Sequence, residues 1–198
     1  VTQTGAYYAV VTSSARCNRT TAVKQIDIWE SPVAGFSPNT ATQCSSVNQF
    51  VFTNTSTLTT GVLQYSWDLG DGNISTTRDV TYSYAKEGNY RVKLLVTAPG
   101  GCVDSTDFNV VVNPSPVSAF AVDVAEQCFT NNWFVFNTKS TVPSGILTYT
   151  WDFGDGTFDY SNDIAHKYLL AGTYVVKLTA KETNGGCTDD SSYTVIVN

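Results

Sequence analysis

The stretch that decides the fold is YSWDLGDG at residues 65–72, which returns as YTWDFGDG at residues 149–156. The two copies lie 84 positions apart in the chain. Other segments follow the same shift: FVF at 50–52 and 134–136, and the Gly-x-Tyr segments at 88–94 and 172–178. Several elements that recur in one order and at one spacing indicate a duplicated structural unit.

Apolar residues alternate with mostly polar ones inside the repeated segments. The alternating apolar positions are Leu63, Tyr65, Trp67 and Leu69, followed by Tyr90, Val92, Leu94 and Val96. A period of two is typical of a strand with one face on a core and the other in solvent. Several short strands separated by turn residues predict an all-β sandwich for each copy.

A partial third copy precedes the two complete ones. GAYYAVV at 5–11 matches the Gly-x-Tyr segment, and Cys17 then takes the place of Cys102. The expected division of the chain is therefore 1–30 as the C-terminal strands of a truncated module, 32–113 as a module and 116–198 as a module. Pro residues in the two joints fix φ and remove amide donors, so we expect the joints to be semi-rigid.

The composition argues against several classes of partner. The chain has 11 Lys and Arg residues against 17 Asp and Glu residues, and its net charge is −6. Binding to phosphate backbones depends on clustered basic side chains, so we expect no nucleic-acid partner. No apolar run approaches the roughly 18–20 residues that span a bilayer, and we expect no membrane insertion. No motif in the sequence requires a cofactor.

The two Trp-Asp-x-Gly-Asp-Gly motifs closely resemble those of the PKD domain family. The resemblance also includes Tyr82-Ser83-Tyr84, His166-Lys167-Tyr168 and the Gly-x-Tyr-x-Val segments. It implies tandem Ig-like β-sandwich modules that space, present or adhere and that carry no catalytic activity. The repeats further resemble the PKD arrays of Bacteroidota surface proteins, which include gliding-motility adhesins secreted by the type IX system. That likeness implies an extracellular or cell-surface location.

The five cysteines are interpreted as disulfide residues. Their equivalent positions within the family-like modules imply the pairs Cys44–Cys102 and Cys128–Cys187, with Cys17 bonded to a partner absent from the sequence. A metal site is the alternative, but the chain has no CxxC spacing of the kind that zinc sites use.

Paired carboxylates mark the two turn motifs. The four residues are Asp68, Asp71, Asp152 and Asp155. We interpret them as parts of a tight turn, in which Gly takes positive φ and Asp accepts hydrogen bonds from exposed amides. A calcium site is the weaker alternative, because Ca²⁺ needs about six oxygen ligands. His166 is the only histidine, and we expect it to be packed or hydrogen-bonded at a strand end.

A few residues break the shared pattern and are candidates for binding. Trp133, Phe158 and Tyr160 have no aromatic counterpart in the first module, and exposed aromatic rings stack on sugars or anchor partners. Packing on a neighbouring loop is the alternative. Trp29 is the candidate for an inter-module contact. Ser105, in Asp104-Ser105-Thr106, resembles the Bacteroidota O-glycosylation motif.

The leading functional hypothesis is a non-catalytic structural or adhesive array, part of a large adhesin or extracellular filament. The alternative is a carbohydrate- or matrix-binding accessory region of a secreted hydrolase, and an enzyme within these residues is not expected. The expected partners are neighbouring modules of the same chain, with other surface proteins or polysaccharide as candidates. A homopolymer is a further alternative, in which another chain adds a strand to the truncated module.

Overall fold

The computed structural model describes residues 5–12 and 18–198. Over these residues the chain is built from β-strands and one short 3₁₀ turn, and it contains no α-helix. The predicted all-β fold of tandem Ig-like sandwiches is confirmed. In the described part of the chain, no helix has the length and apolar character needed to cross a membrane.

The first strands form two antiparallel pairs. They are β1 (Gly5–Tyr7) with β4 (Lys24–Ile26), and β2 (Val10–Thr12) with β3 (Asn18–Thr20). Between the paired strands, the amide of Thr21 donates to the carbonyl oxygen of Ala9 at 2.9 Å. Cys17, which the sequence assigned to an absent partner, lies outside the described residues.

The first complete module has eight strands. They are β5 (Phe36–Pro38), β6 (Thr42–Cys44), β7 (Phe50–Asn54), β8 (Gln64–Asp68), β9 (Ile74–Ser75), β10 (Val80–Tyr82), β11 (Gly88–Thr97) and β12 (Val103–Asn113). One sheet has the order β10-β7-β5 and the other the order β6-β12-β11-β8-β9. Residues before Cys44 therefore contribute to both sheets, and β6 runs parallel to the end of β12.

The second module repeats this arrangement. Its elements are β13 (Phe120–Val122), β14 (Glu126–Gln127), the 3₁₀ turn Phe129–Asn131, β15 (Phe134–Thr138), β16 (Leu147–Asp152), β17 (Phe158–Asp159), β18 (Ile164–His166), β19 (Gly172–Glu182) and β20 (Thr188–Val197). The sheets have the orders β13-β15-β18 and β14-β20-β19-β16-β17. The repeat found in the sequence is thus a repeat of topology.

Equivalent aromatic side chains fill each sandwich. Trp67 and Trp151 are fully buried, and their indole N–H groups donate to the carbonyl oxygens of Thr77 and Ser161 at 2.9 and 3.0 Å. The second core also contains Phe134, Phe136, Phe153, Tyr168, Val176, Leu178, Val195 and Val197. Rings of this size dominate core energetics because each buries a large apolar area. The period-two pattern in the sequence therefore predicted the residues that are buried.

The chain divides into two compact units whose boundary does not follow the repeat. The first unit takes in Val1–Ala41, Phe50–Tyr82 and Tyr90–Val110, and the second takes in Thr42–Gln49, Ser83–Asn89 and Val111–Asn198. The end of the first module therefore belongs to the same unit as the whole second module.

Candidate functional site

Although it comes early in the sequence of the first module, Cys44 lies in space beside the end of that module's last strand. It closes β6, and its partner in the parallel register is Asn113, the last residue of β12. The amide of Ser45 donates to the carbonyl oxygen of Asn113 at 2.8 Å, which fixes the backbone on the far side of the cysteine. The cysteine is therefore held beside the joint that leads into the second module.

Cys187 lies in the loop between β19 and β20 and is 1% exposed. Glu182 organises this loop, because its carboxylate accepts the amides of Asn184 and Gly185 at 3.0 and 2.5 Å. The amide of Glu182 in turn donates to the carbonyl oxygen of Cys187 at 2.8 Å. The amides of Asn184 and Gly185 lower the pKa of the Glu182 carboxyl, so the side chain holds the loop as a carboxylate.

Cys44 and Cys187 form a disulfide with a Cα–Cα distance of 5.7 Å, across 143 positions of sequence. Both residues belong to the second compact unit. The predicted pairs Cys44–Cys102 and Cys128–Cys187 are wrong, because the structure bonds a cysteine of one module to a cysteine of the next. Cys102 is half-buried and Cys128 exposed, and both are free thiols.

The length of the last strand explains why the two cysteines of one module do not pair. Cys102 stands immediately before the 11-residue strand β12, whereas Cys44 pairs with the residue that ends it. At about 3.3 Å per residue the strand separates the two cysteines by roughly 35 Å. A disulfide requires Cα atoms within about 7 Å, so no bond can form within the module.

Other contacts accompany the disulfide where the second module begins. The Ser115 amide donates to Ser45 Oγ at 3.0 Å, and the Ser115 hydroxyl donates to Ser46 Oγ at 3.0 Å. Gly185 packs on the Asn113 side chain so closely that a Cβ at Gly185 would clash with it. The disulfide is therefore one part of a joint made from residues 45–46, 113–115 and 185–187.

The Trp-Asp-Leu-Gly-Asp-Gly motif of the first module forms a turn that uses its own carboxylates. Asp68 Oδ1 accepts the amide of Gly70 at 2.9 Å, and Asp71 Oδ1 accepts the amide of Asn73 at 3.0 Å. The Tyr82 hydroxyl donates to Asp71 Oδ2 at 2.6 Å. Gly70 has φ +83°, and a Cβ there would lie 2.8 Å from the carbonyl oxygen of Arg91, so only glycine fits.

The second motif makes the same turn with a different partner. Asp152 Oδ1 accepts the amide of Gly154 at 2.9 Å, and Asp155 Oδ1 accepts the amide of Thr157 at 3.0 Å. His166 Nε2 lies 2.8 Å from Asp155 Oδ2. The ring of His166 also stacks on Phe153, with centroids 4.0 Å apart. This histidine thus takes the position of Tyr82, packed and hydrogen-bonded at the end of β18.

Hydrogen bonds lower the pKa of the second carboxylate of each motif, Asp71 and Asp155. Burial raises the pKa of Asp155, but the hydrogen bonds from Thr157 and His166 lower it by more than burial raises it. The pKa of Asp155 therefore lies below its ordinary value. Burial likewise raises the pKa of Asp71 and the hydrogen bond from Tyr82 lowers it. The pKa of Asp71 is also below its ordinary value. Within residues 5–12 and 18–198, no three His, Cys, Asp or Glu side chains are grouped closely enough to hold a metal ion.

The three exposed aromatic residues that the sequence singles out lie on or beside strands of different sheets. Trp133 precedes β15 in the three-stranded sheet and is 56% exposed. Phe158 lies on β17, at the edge of the five-stranded sheet, and Tyr160 follows it, with 57% and 74% exposure. The Trp133 backbone is clamped by Gln127, whose side-chain amide exchanges two hydrogen bonds with it at 2.6 and 2.9 Å.

Trp29 lies against the loop between β11 and β12. Its indole covers Gly100 so closely that a Cβ there would clash with the ring. Together with Leu58, Gly61 and Pro99, Trp29 lines an open cavity of about 410 Å³. Trp29 stands where Asn113 stands one repeat later, and Asn113 covers Gly185 in the same manner.

Ser105 is exposed on β12 and accessible from solvent. The carboxylate of its neighbour Asp104 is engaged in the fold, because Asp104 Oδ2 accepts a hydrogen bond from the amide of Ala34 at 2.8 Å. Asp189 makes the equivalent bond with the amide of Ser118, also at 2.8 Å. Glycosylation of Ser105 stays a prediction.

Sequence reasoning missed the inter-module disulfide, although a signal for it was present. Cys44 lies early in its module and Cys102 at the start of the last strand, so a first strand running parallel to that last strand puts them at opposite ends. The repeat alone cannot distinguish a bond within one module from a bond between consecutive modules. Both kinds of bond join the same two repeat positions, since Cys102 and Cys187 occupy equivalent positions in successive copies.

The fold and the joint define a tandem pair of Ig-like β-sandwich modules that share a covalent link. The PKD domain family matches residues 29–112 and 113–197. The chain belongs to this family.

Known relatives include a collagenase and a metalloprotease that are much longer than this chain. The chain is 42% identical over 52 residues to "Collagenase ColA" of Clostridium perfringens, which covers 26% of the chain and 5% of that protein. It is 28% identical over 137 residues to "Pre-pro-metalloprotease PrtV" of Vibrio cholerae, which covers 68% of the chain and 15% of that protein. The chain therefore spans only a small part of the length of these curated relatives.

Among solved structures, the PKD1 domain of the Vibrio cholerae metalloprotease PrtV is similar to the chain. The sequence identity is 33%, the TM-score is 0.38, and the match covers 42% of the chain and 99% of that domain.

Proposed function

We propose that this chain is part of a non-catalytic, extracellular structural array whose modules are held in series by covalent links. The observation that carries the proposal is the disulfide between Cys44 and Cys187. A bond within a module stabilises that module alone, whereas a bond from one module to the next limits movement at the joint. A protein that spaces or presents another domain benefits from such a limit.

The disulfide also bears on the compartment. Disulfides form and persist in oxidising surroundings such as the cell exterior and the periplasm, and they are rare in the cytosol. This supports secretion and a place outside the cell or on its surface. The acidic composition, with a net charge of −6, is compatible with that location.

The position of the disulfide suits a load-bearing role. A force applied to the two ends of the chain passes through the covalent bond from Cys44 to Cys187. The 143-position segment between them lies outside the covalent load path, and it contains most strands of both sandwiches. The modules therefore resist extension without relying on the strength of their hydrogen bonds.

A second candidate function is that of a carbohydrate- or matrix-binding accessory region in a secreted hydrolase. Two observations favour it: relatives of the chain are named as a collagenase and a metalloprotease, and Trp133, Phe158 and Tyr160 are more than half exposed. These rings offer faces for sugar stacking, and they lie on or beside strands of two different sheets.

A pull-down on insoluble collagen, chitin and cellulose separates the two candidates. The structural array predicts that the chain stays in the supernatant. Retention on one polymer that is lost on Trp133→Ala or Tyr160→Ala would favour the accessory function and overturn the array as the sole role. Val62→Ala is the matched control, because Val62 is 81% exposed but not aromatic.

We further propose, on the resemblance noted in the sequence, that the parent protein is a Bacteroidota adhesin secreted by the type IX system and engaged in adhesion or gliding. Neighbouring modules of the same chain are its first partners, with other surface proteins or polysaccharide beyond them. Strand addition between chains, giving a homopolymer, is a separate proposal. Sedimentation under reducing conditions tests the homopolymer. A monomer would contradict it, and larger species would support it.

A further inference from the structure

Cys128 occupies the same structural position in the second module as Cys44 does in the first. Cys128 follows β14, which runs parallel to the end of β20. The amide of Phe129 donates to the carbonyl oxygen of Asn198 at 2.6 Å, as the amide of Ser45 does to that of Asn113. The backbone that presents Cys128 is therefore the backbone that presents a bonded cysteine one repeat earlier.

Cys102 matches Cys187 in a corresponding way. Both follow a Gly-Gly pair in the loop before the last strand. The amide of Ala98 donates to the carbonyl oxygen of Cys102 at 2.8 Å, as the amide of Glu182 does to that of Cys187. Cys102 is thus held on its hairpin in the geometry of a bonded cysteine.

The surroundings of Cys102 indicate where its partner would lie. Its Sγ is 4.0 Å from the carbonyl oxygen of Trp29. Trp29 is the counterpart of Asn113, and Asn113 is the strand partner of Cys44. The thiol of Cys102 therefore points to the place that a cysteine in the Cys44 position of another module would occupy.

We propose that Cys102 and Cys128 each form the same inter-module disulfide as Cys44–Cys187, with other modules of this kind. Cys128 bonds to the cysteine in the Cys187 position of one such module, and Cys102 bonds to the cysteine in the Cys44 position of another. This rests on the proposed structural function and extends it: every joint of the array is covalently closed, and each module carries one cysteine for each neighbour.

The chemistry is thiol–disulfide exchange with a disulfide oxidant. One thiolate attacks the oxidant's S–S bond and releases one thiol, which gives a mixed disulfide. The second thiolate then attacks the protein sulfur of that mixed disulfide and releases the other half of the oxidant. The two cysteines lose two electrons and two protons in all, and the oxidant is reduced to two thiols.

The test uses the full chain extended by one module. Residues 114–198 are repeated after Asn198. The added copy carries Thr188→Ser as a mass tag next to its terminal cysteine, and Cys128→Ser so that the chain has a single Cys128. The unextended chain is the control. Both chains are oxidised with a glutathione redox buffer, alkylated with iodoacetamide, digested with trypsin and Asp-N without reduction, and mapped by mass spectrometry.

In the unextended chain we expect Cys44–Cys187 linked and Cys128 alkylated. In the extended chain we expect Cys128 to be protected and linked to the tagged peptide, with Cys44–Cys187 unchanged. A Cys128→Ser variant of the extended chain should release the tagged cysteine to alkylation. In a mirrored chain, a copy of residues 32–112 that carries Cys102→Ser replaces residues 1–28 ahead of Trp29. The remaining Cys102 should then be protected from alkylation.

Two results would overturn the inference: alkylated Cys128 in an extended chain that retains Cys44–Cys187, or a bond from Cys128 to Cys187 of its own module. The first result leaves Cys44–Cys187 in place and so leaves the proposed function standing, whereas the second takes Cys187 from Cys44 and would overturn the proposed function as well. Disulfide-linked dimers of the unextended chain that join Cys128 to Cys102 would support the pairing and make a second copy the source of the other module.

Discussion

Reducing the Cys44–Cys187 bond should increase the length to which a mechanical force can extend the protein. With the bond intact, a force applied at the two ends extends only the residues before Cys44 and after Cys187. The bond spans 143 positions, and a fully extended chain covers about 3.3–3.6 Å per residue, so the hidden length is about 470–515 Å.

Single-molecule pulling with attachments at both ends measures this length directly. The oxidised chain should reach its limit without releasing the hidden segment. The same chain in a reducing agent, or carrying Cys44→Ser, should release roughly 500 Å more, as two unfolding events. Cys128→Ser is the matched control and should behave as the oxidised parent, because Cys128 is a free thiol in this chain.

The reasoning would be refuted by an oxidised chain that extends as far as the reduced one while mass mapping shows the bond intact. It would also be refuted by a Cys44→Ser variant that gains no length. Either result would mean that the disulfide does not carry the load between the modules.

Three further perturbations test stability. Cys44→Ser should lower the free energy of unfolding by up to about 5 kcal/mol in the chain-entropy treatment of a 143-position loop, measured by urea denaturation. His166→Phe removes a hydrogen bond that lowers the pKa of Asp155, and it should move acid unfolding to higher pH. A depressed carboxyl pKa stabilises the fold above the ordinary value, and this contribution is lost as pH falls through the lowered one. Gly70→Ala should cost more than the roughly 1–2 kcal/mol of a strained backbone, while Gly72→Ala should cost only that, because nothing lies within 4 Å of a Cβ at Gly72.

Each of these has its own control and its own contrary outcome. Cys128→Ser should leave the urea midpoint unchanged, and an equal loss would show that the effect is not due to the bond. Tyr82→Phe removes the equivalent hydrogen bond to Asp71 and should raise the acid transition of the first module only. Equal losses from the two glycine substitutions would show that close approach to Arg91 is not what selects glycine at position 70.

Much of the fold could be predicted because a β-sandwich leaves a strong local pattern. Period-two alternation located Trp67 and Val92 in the core, and the Gly-Asp-Gly turns followed from the need for positive φ. The repeat then transferred each assignment to the second module. Both kinds of signal come from neighbouring residues along one strand or one turn.

The site could not be predicted in the same manner because it depends on how distant strands meet. Cys102 and Cys187 occupy equivalent positions in successive repeats, so the repeat pattern allows either of them to pair with Cys44. Only the parallel register of β6 with the end of β12 places Cys44 at the joint. The exchange of Tyr82 for His166 was visible in the sequence, but their shared role as partners of Asp71 and Asp155 was not.

The separation between Cys44 and Cys187 also has a consequence for biogenesis. A polypeptide appears from its N-terminus, so the thiol of Cys44 must wait for 143 further positions before its partner exists. Tandem copies of one sequence are prone to exchange strands with each other while they fold. Because the bond requires β6 and the last hairpin of the next module to be in place, its closure marks the moment when two successive copies have each folded on their own strands.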